Sequence, residues 1–259
     1  LVGTILTIAS PTIAQIVGQS AAELIMIDME HAPQPIDTVT SMVHTFNASS
    51  RGRGLPLIRV PSHGVEWIKW ALDSGASGII VPMVNDVAEA RAVLDRAVYP
   101  PGGRRSFGPI YAAYAHPAGV EESGGQAGYF ARAQRGDVAI LPMIESKEGL
   151  ANAEAILALP GVTGVLVGPA DLRLSLGMTA AIDGPEAEFQ AALESIVAAG
   201  RKAGKLVGTV ALGEEAIARR AKQGFDFVLT GFDMGALVVG LNTELAAAKK
   251  SVEAGVARG

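Results

Sequence analysis

Along this chain, short apolar runs rich in β-branched residues alternate with longer segments of helical period, and the alternation repeats eight times. The runs lie at 4–9, 24–29, 55–60, 78–83, 138–144, 164–167, 206–210 and 227–230. Helical segments lie at 12–19, 36–47, 65–74, 87–97, 152–158, 186–203, 214–223 and 234–254. A strand that reads as a continuous apolar run is covered on both faces, and strands separated by helices pair in parallel. Eight such units predict one closed (β/α)8 TIM barrel, an α/β fold, over residues 1–259. A doubly wound open sheet is the other arrangement, but it calls for a phosphate-binding glycine fingerprint after the first strand, and Ile8-Ala-Ser-Pro-Thr12 carries none.

With 259 residues and 49% hydrophobic residues the chain can bury a core of that size. The net charge of -5 argues against a nucleic-acid surface, which needs Lys and Arg gathered on one face. No apolar stretch is long enough to span a membrane, so no membrane association is expected. The absence of cysteine agrees with a reducing compartment and makes a cytoplasmic location the expectation. The chain opens at Leu1, within an apolar run and without Met, which points to a preceding segment where any targeting signal would lie. The longest irregular stretch, about 100–135, is rich in Gly, Pro, Tyr and Arg, and a loop of that length predicts an active-site lid.

In a barrel the chemistry sits at the C-terminal ends of the strands. Asp28, Glu30 and His31 fall at the end of the second run, Arg59 at the third, Glu145 at the fifth, and Gly168-Pro-Ala170-Asp171 at the sixth. Carboxylates on neighbouring strands repel, and a hard cation removes the conflict, so Glu145 and Asp171 are the candidate metal ligands. Two protein oxygens leave positions for water and a bidentate 2-oxo acid, which suits Mg²⁺ or Mn²⁺. Asp171 reads equally as a helix N-cap. The turn Gly168, Pro169, Ala170 offers backbone N–H groups to a substrate carboxylate.

Arg59 offers its fork to a carboxylate or an enolate oxygen, or else pairs internally with Asp28 or Glu30. Asp28 stands three residues before His31, close enough to fix its tautomer and leave the other ring nitrogen as a general base. No Gly-x-Ser-x-Gly turn is present, and Lys147 and Lys205 are poorly placed for a Schiff base. A bound metal is therefore the expected electron sink. A catalytically silent barrel that binds a dicarboxylate as a sensor or scaffold is the reading outside catalysis, but it has no need of both a base and a metal pair.

The segments Ile27-Asp-Met-Glu-His31, Leu57-Ile-Arg-Val-Pro61, Ile80-Val-Pro-Met83, Tyr99-Pro-Pro-Gly102, Met143-Ile-Glu145 and Val167-Gly-Pro-Ala-Asp-Leu172 resemble, in order and spacing, the HpcH/HpaI aldolase family. The resemblance covers nearly the whole chain. It implies a metal-dependent lyase that works through a pyruvate enolate, with Glu145 and Asp171 on the metal, Arg59 on the pyruvate oxygen, and His31 with Asp28 handling the proton. It also implies a homo-oligomer, a hexamer built as a trimer of dimers, with the eighth helix exchanged between subunits through the apolar stretch 234–245.

Within the family the lid is most similar to the macrophomate-synthase branch, whose reaction decarboxylates oxaloacetate and adds the enolate to a 2-pyrone. That likeness implies acceptor contacts from Phe107, Pro109 and Tyr129. The alternative is a class II aldolase that cleaves 4-hydroxy-2-oxo acids or 2-keto-3-deoxy sugar acids to pyruvate and an aldehyde. Met143, where the bacterial aldolases usually carry Gln, sets this chain apart from them.

Overall fold

In the computed structural model, which describes residues 1–256, eight parallel strands close into a barrel in sequence order. The last three residues of the expected 1–259 domain lie outside the described ones. The strands are β1 (Val2–Leu6), β2 (Leu24–Asp28), β3 (Leu55–Arg59), β4 (Gly78–Val81), β5 (Ala139–Ile144), β6 (Gly164–Val167), β7 (Leu206–Val210) and β8 (Phe227–Phe232). Helices α1 (Pro11–Gly18), α2 (Ile36–Ser50), α3 (Val65–Asp73) and α4 (Val87–Ala97) follow the first four strands. Two short helices, α5 (Gly119–Ser123) and α6 (Gly125–Arg135), precede β5. The chain continues through α7 (Lys147–Leu157), α8 (Pro169–Ser175), α9 (Ala187–Ala203), α10 (Glu214–Gln223) and α11 (Asp233–Val256). Among the described residues no helix is long and apolar enough to cross a membrane.

Alternate residues of one strand serve two cores. On β2, Leu24 and Met26 join Leu57, Ile80, Leu141, Leu166 and Leu229 inside the barrel, while Ile25 and Ile27 pack outward with Val39, Met42 and Phe46 of α2. Every residue of β2 is therefore buried, which is why it reads as an unbroken apolar run.

Element ends depart from the expected ones for local reasons. The first strand stops at Leu6 because the Asp233 carboxylate takes the N–H groups of Thr7 (3.0 Å) and Ile8 (2.9 Å), and Ser10 then caps α1 with Pro11 in its first turn. Helix α7 starts at Lys147 rather than 152 because the Ser146 hydroxyl accepts from the N–H of Gly149 (2.9 Å).

The stretch expected to act as a lid is corrected by its position. It leaves α4 and enters β5, and a helix of a barrel runs antiparallel to the strands, so both of its ends lie at the N-terminal ends of the strands. There it packs against the C-terminal ends of α2 and α3. Asn47 Nδ2 donates to the carbonyl of Ala115 (2.8 Å), the Tyr129 hydroxyl donates to the carbonyl of Leu72 (2.8 Å), and Arg105 pairs with Asp73 (2.5 Å). Only segments that follow strands emerge at the catalytic end, and within this chain this one seals the other end.

Helix α11 springs directly from β8 and packs against β1 and β8, and among the described residues its side chains are exposed from Met234 onward. Leu237, Val238, Val239, Leu241 and Leu245 stay exposed along it. Monomeric soluble proteins rarely leave a contiguous run of large apolar side chains in water.

Candidate active site

Residues Asp28 and Arg59 end adjacent strands and are direct partners in the β2–β3 register. The guanidinium closes a fork on the carboxylate, Nε to Oδ1 at 2.9 Å and Nη2 to Oδ2 at 2.7 Å, and Nη1 reaches Glu30 Oε2 at 2.9 Å. Burial works against the Arg59 charge, but the hydrogen bond and charge of Asp28, with Glu30 and Glu145, outweigh it and raise its pKa. The second oxygen contact of Asp28 is also internal: Oδ1 accepts from the backbone N–H groups of Glu30 (3.0 Å) and His31 (3.3 Å), which turns the chain out of β2.

This arrangement corrects the expected Asp28–His31 ring pair. Asp28 is engaged by Arg59 and by backbone, and the largely exposed imidazole of His31 instead has Glu30 Oε2 3.7 Å from its Nε2. Burial, set against the charges of Arg59 and His31, leaves the Glu30 pKa raised.

Glu145 follows β5 directly and is 3% exposed. Its Oε1 accepts the N–H of Met83 at 2.6 Å, and Met83 holds a left-handed backbone (φ 50) that side chains rarely adopt. Its Oε2 lies against Gly168, where any Cβ would collide with it, so the glycine makes room for the carboxylate. Burial, with the charges of Glu30 and Asp171 added, pushes the Glu145 pKa up to about 7. Asp171 lies in the first turn of α8 and is exposed to the same opening. The N-cap of α8 is Gly168, so Asp171 is not the cap. Among the described residues neither Glu145 nor Asp171 forms an ion pair.

The pair fits a hard divalent cation. A carboxyl raised in pKa by burial and by neighbouring acids, with no ion-pair partner among the described residues, is a site whose electrostatic cost a cation would offset, and the donors are all oxygen. No group of three or more His, Asp or Glu comes together in a metal-holding arrangement among the described residues, so remaining positions would fall to water and substrate.

Asp28, His31, Arg59, Glu145, Asp171 and the turn Gly168, Pro169, Ala170 open into one cavity of about 480 Å³ at the C-terminal ends of the strands. Phe107, Pro109 and Tyr129 do not line it. Phe107 packs near Tyr99 and Phe130 (ring centroids 6.2 and 5.7 Å), Pro109 is buried, and Tyr129 lines a separate cavity beside the strand starts Leu55 and Ala139. The Arg59–Glu30 pair is one the sequence offered; what sequence reasoning missed is Glu30 as the acid beside the His31 ring, the Met83 N–H, and an apolar wall of Ile182, Val210, Phe232 and Met234. Glu30 was visible inside its motif; a backbone donor in a strained turn leaves no side-chain signal.

Known proteins similar to this chain share one family. The family model described as HpcH/HpaI aldolase/citrate lyase matches residues 2–239. A hydroxypyruvate/pyruvate aldolase of Rhizorhabdus wittichii is 36% identical over 216 residues, 83% of this chain and 80% of the relative. A 2-keto-3-deoxy-L-rhamnonate aldolase of Salmonella gallinarum is 33% identical over 245 residues, 95% of this chain and 87% of the relative. The crystal structure of macrophomate synthase superposes with a TM-score of 0.79 at 28% identity, covering 98% of this chain and 85% of that one. A family match of that length, on a closed eight-stranded barrel, makes the chain an enzyme, a lyase that belongs to the HpcH/HpaI aldolase/citrate lyase family.

Proposed function

We propose that the chain is a divalent-metal-dependent aldolase that cleaves 4-hydroxy-2-oxo acids to pyruvate and an aldehyde, and forms them in reverse. The observation that carries this is the pairing, in one cavity, of two carboxylates that form no ion pair among the described residues, Glu145 and Asp171, with a buried arginine, Arg59. Mg²⁺ or Mn²⁺ held by Glu145 and Asp171 would act as a Lewis acid toward the 2-oxo group. Arg59 has three of its N–H donors committed to Asp28 and Glu30, and a guanidinium carries five, so two remain for the oxygen on which enolate charge develops. The opening turn of α8, whose first N–H groups have no partner within the helix, receives the substrate carboxylate. His31, exposed and next to Glu30, takes the proton from the 4-hydroxyl during cleavage and returns it during synthesis.

Aldolase relatives at 33–36% identity support this reading over oxaloacetate decarboxylation with a pyrone acceptor, for which the lid residues were the argument. Loss of carbon dioxide from oxaloacetate passes through the same enolate and is expected as a side reaction. We further propose that α11 seats its apolar face on the barrel of a second copy within a hexamer. The test is pyruvate release from a 4-hydroxy-2-oxo acid after treatment with EDTA and dialysis. Activity is expected to vanish and to return with Mg²⁺ or Mn²⁺; undiminished turnover without metal would refute the proposal.

A further inference from the structure

The cavity mouth is divided. Its charged residues come from the ends of β2, β3, β5 and β6, while the opposite arc is built from Ile5 and Thr7 of the first strand and its exit, Val210 at the end of β7, Phe232 at the end of β8, Met234, and Ile182 from the loop after α8. The polar groups on that arc are already satisfied by one another. The Thr7 hydroxyl donates to Asp233 Oδ1 at 2.6 Å, and the same carboxylate also accepts the N–H groups of Thr7 (3.0 Å), Ile8 (2.9 Å) and Met234 (2.8 Å). A hydroxylated chain laid against this arc would give up water and find few partners.

Ile182 is held there by its neighbours. Asp183 takes the buried Arg220, and Arg219 lies 3.3 Å from its other oxygen. Four residues beyond Ile182, Glu186 closes a fork with the buried Arg173 at 2.5 and 2.7 Å, while Arg173 also donates to the carbonyl of Thr179 at 3.1 Å. Both guanidinium groups rest over the Phe189 ring, at 5.0 and 5.8 Å. Such charge-assisted pairs in a buried setting fix geometry. The loop is clamped on both sides, and Ile182 packs against the barrel-interior cluster beside Phe232.

Resting on the aldolase reading, we infer that the aldehyde partner is apolar, an alkyl or aryl aldehyde and not a polyhydroxylated sugar aldehyde, and that Ile182 is a specificity-determining residue for it. In synthesis the pyruvate methyl carbon loses a proton and forms the new bond to the aldehyde carbon, whose oxygen gains a proton, so no further reactant is needed. The aldehyde substituent points away from the charged arc and meets Ile182, Val210 and Phe232. An apolar pocket rejects an isostere that adds a hydroxyl by about a hundredfold.

The experiment compares kcat/KM for butanal and erythrose, with saturating pyruvate and Mg²⁺, in wild type, Ile182→Asn and Ile182→Leu. Wild type is expected to favour butanal by about a hundredfold, Ile182→Asn to shrink that ratio by about tenfold, and Ile182→Leu to keep it. Val210→Thr, isosteric and on the same arc, is expected to shrink the ratio too and serves if Ile182→Asn fails to fold. Equal or better use of erythrose by wild type, or a ratio that neither polar substitution moves, would overturn the inference. Exchange of the pyruvate methyl protons with D₂O, read by NMR without aldehyde, separates the two levels. Exchange without butanal preference refutes the inference alone, whereas no exchange in the presence of Mg²⁺ refutes the aldolase reading and the inference with it.

Discussion

Each end of the barrel holds a buried arginine paired with an aspartate, Arg59 with Asp28 at the C-terminal ends of the strands and Arg105 with Asp73 at the N-terminal ends. As pairs they are alike, with nitrogen to oxygen distances of 2.7 and 2.5 Å. Their surroundings differ. Arg105 lies over the rings of Tyr99 (4.4 Å) and Tyr129 (5.4 Å), where packing absorbs its stem and charge. Arg59 faces an open cavity beside Glu30, Glu145 and Asp171, acids that repel one another. A buried ion pair by itself is weak evidence of anything; uncompensated charge next to an opening is what separates a reactive end from a structural one.

The sharpest way to break this comparison is to remove the charge imbalance. Glu145→Gln, measured by pyruvate release from a 4-hydroxy-2-oxo acid, is expected to lower kcat/KM by on the order of a thousandfold or more, because Lewis-acid stabilisation is worth several kcal/mol. Arg59→Lys keeps a charge but loses the planar fork, and a loss of about a hundredfold is expected in the same assay.

A smaller effect follows from protons. With its pKa raised to about 7, Glu145 is mostly protonated at pH 6 and mostly ionised at pH 8. A cation must displace that proton, so divalent-metal affinity is expected to weaken as pH falls, by about tenfold from pH 8 to pH 6 in a calorimetric titration. Affinity that stays level across this window would contradict a Glu145 carboxyl that titrates near 7 and yields its proton to the metal. The smallest effect belongs to the other end. Tyr129→Phe removes the hydroxyl that donates to Leu72 and is expected to cost about 1 kcal/mol in denaturant unfolding while kcat/KM stays within about twofold. A loss of turnover as large as that of Arg59→Lys would erase the contrast between the ends.

The barrel was legible because a parallel strand buried on both faces, such as β2, cannot hide its apolar run, and because Asp28, Arg59, Glu145 and Asp171 stand where strands end. Connectivity also carried the position of the 100–135 stretch: an insertion between helix and strand belongs to the far end, and its length and aromatic content drew attention away from that rule. The ring partner of His31 was illegible because Asp28 and Glu30 both stand just before it in sequence, and only the strand register that sets Asp28 opposite Arg59 decides between them. Ile182 was hidden in an irregular loop whose place depends on three arginines from two distant parts of the chain, Arg173 on helix α8 and Arg219 and Arg220 on helix α10, closing on Asp183 and Glu186.

The claim on which the chemistry turns is that Glu145 and Asp171 together seat a cation. Electron paramagnetic resonance of a Mn²⁺ titration at pH 8 reads it directly. One tight site is expected in the wild type, tightened further by pyruvate and lost in both Glu145→Gln and Asp171→Asn. Equal Mn²⁺ binding by all three proteins would contradict the account.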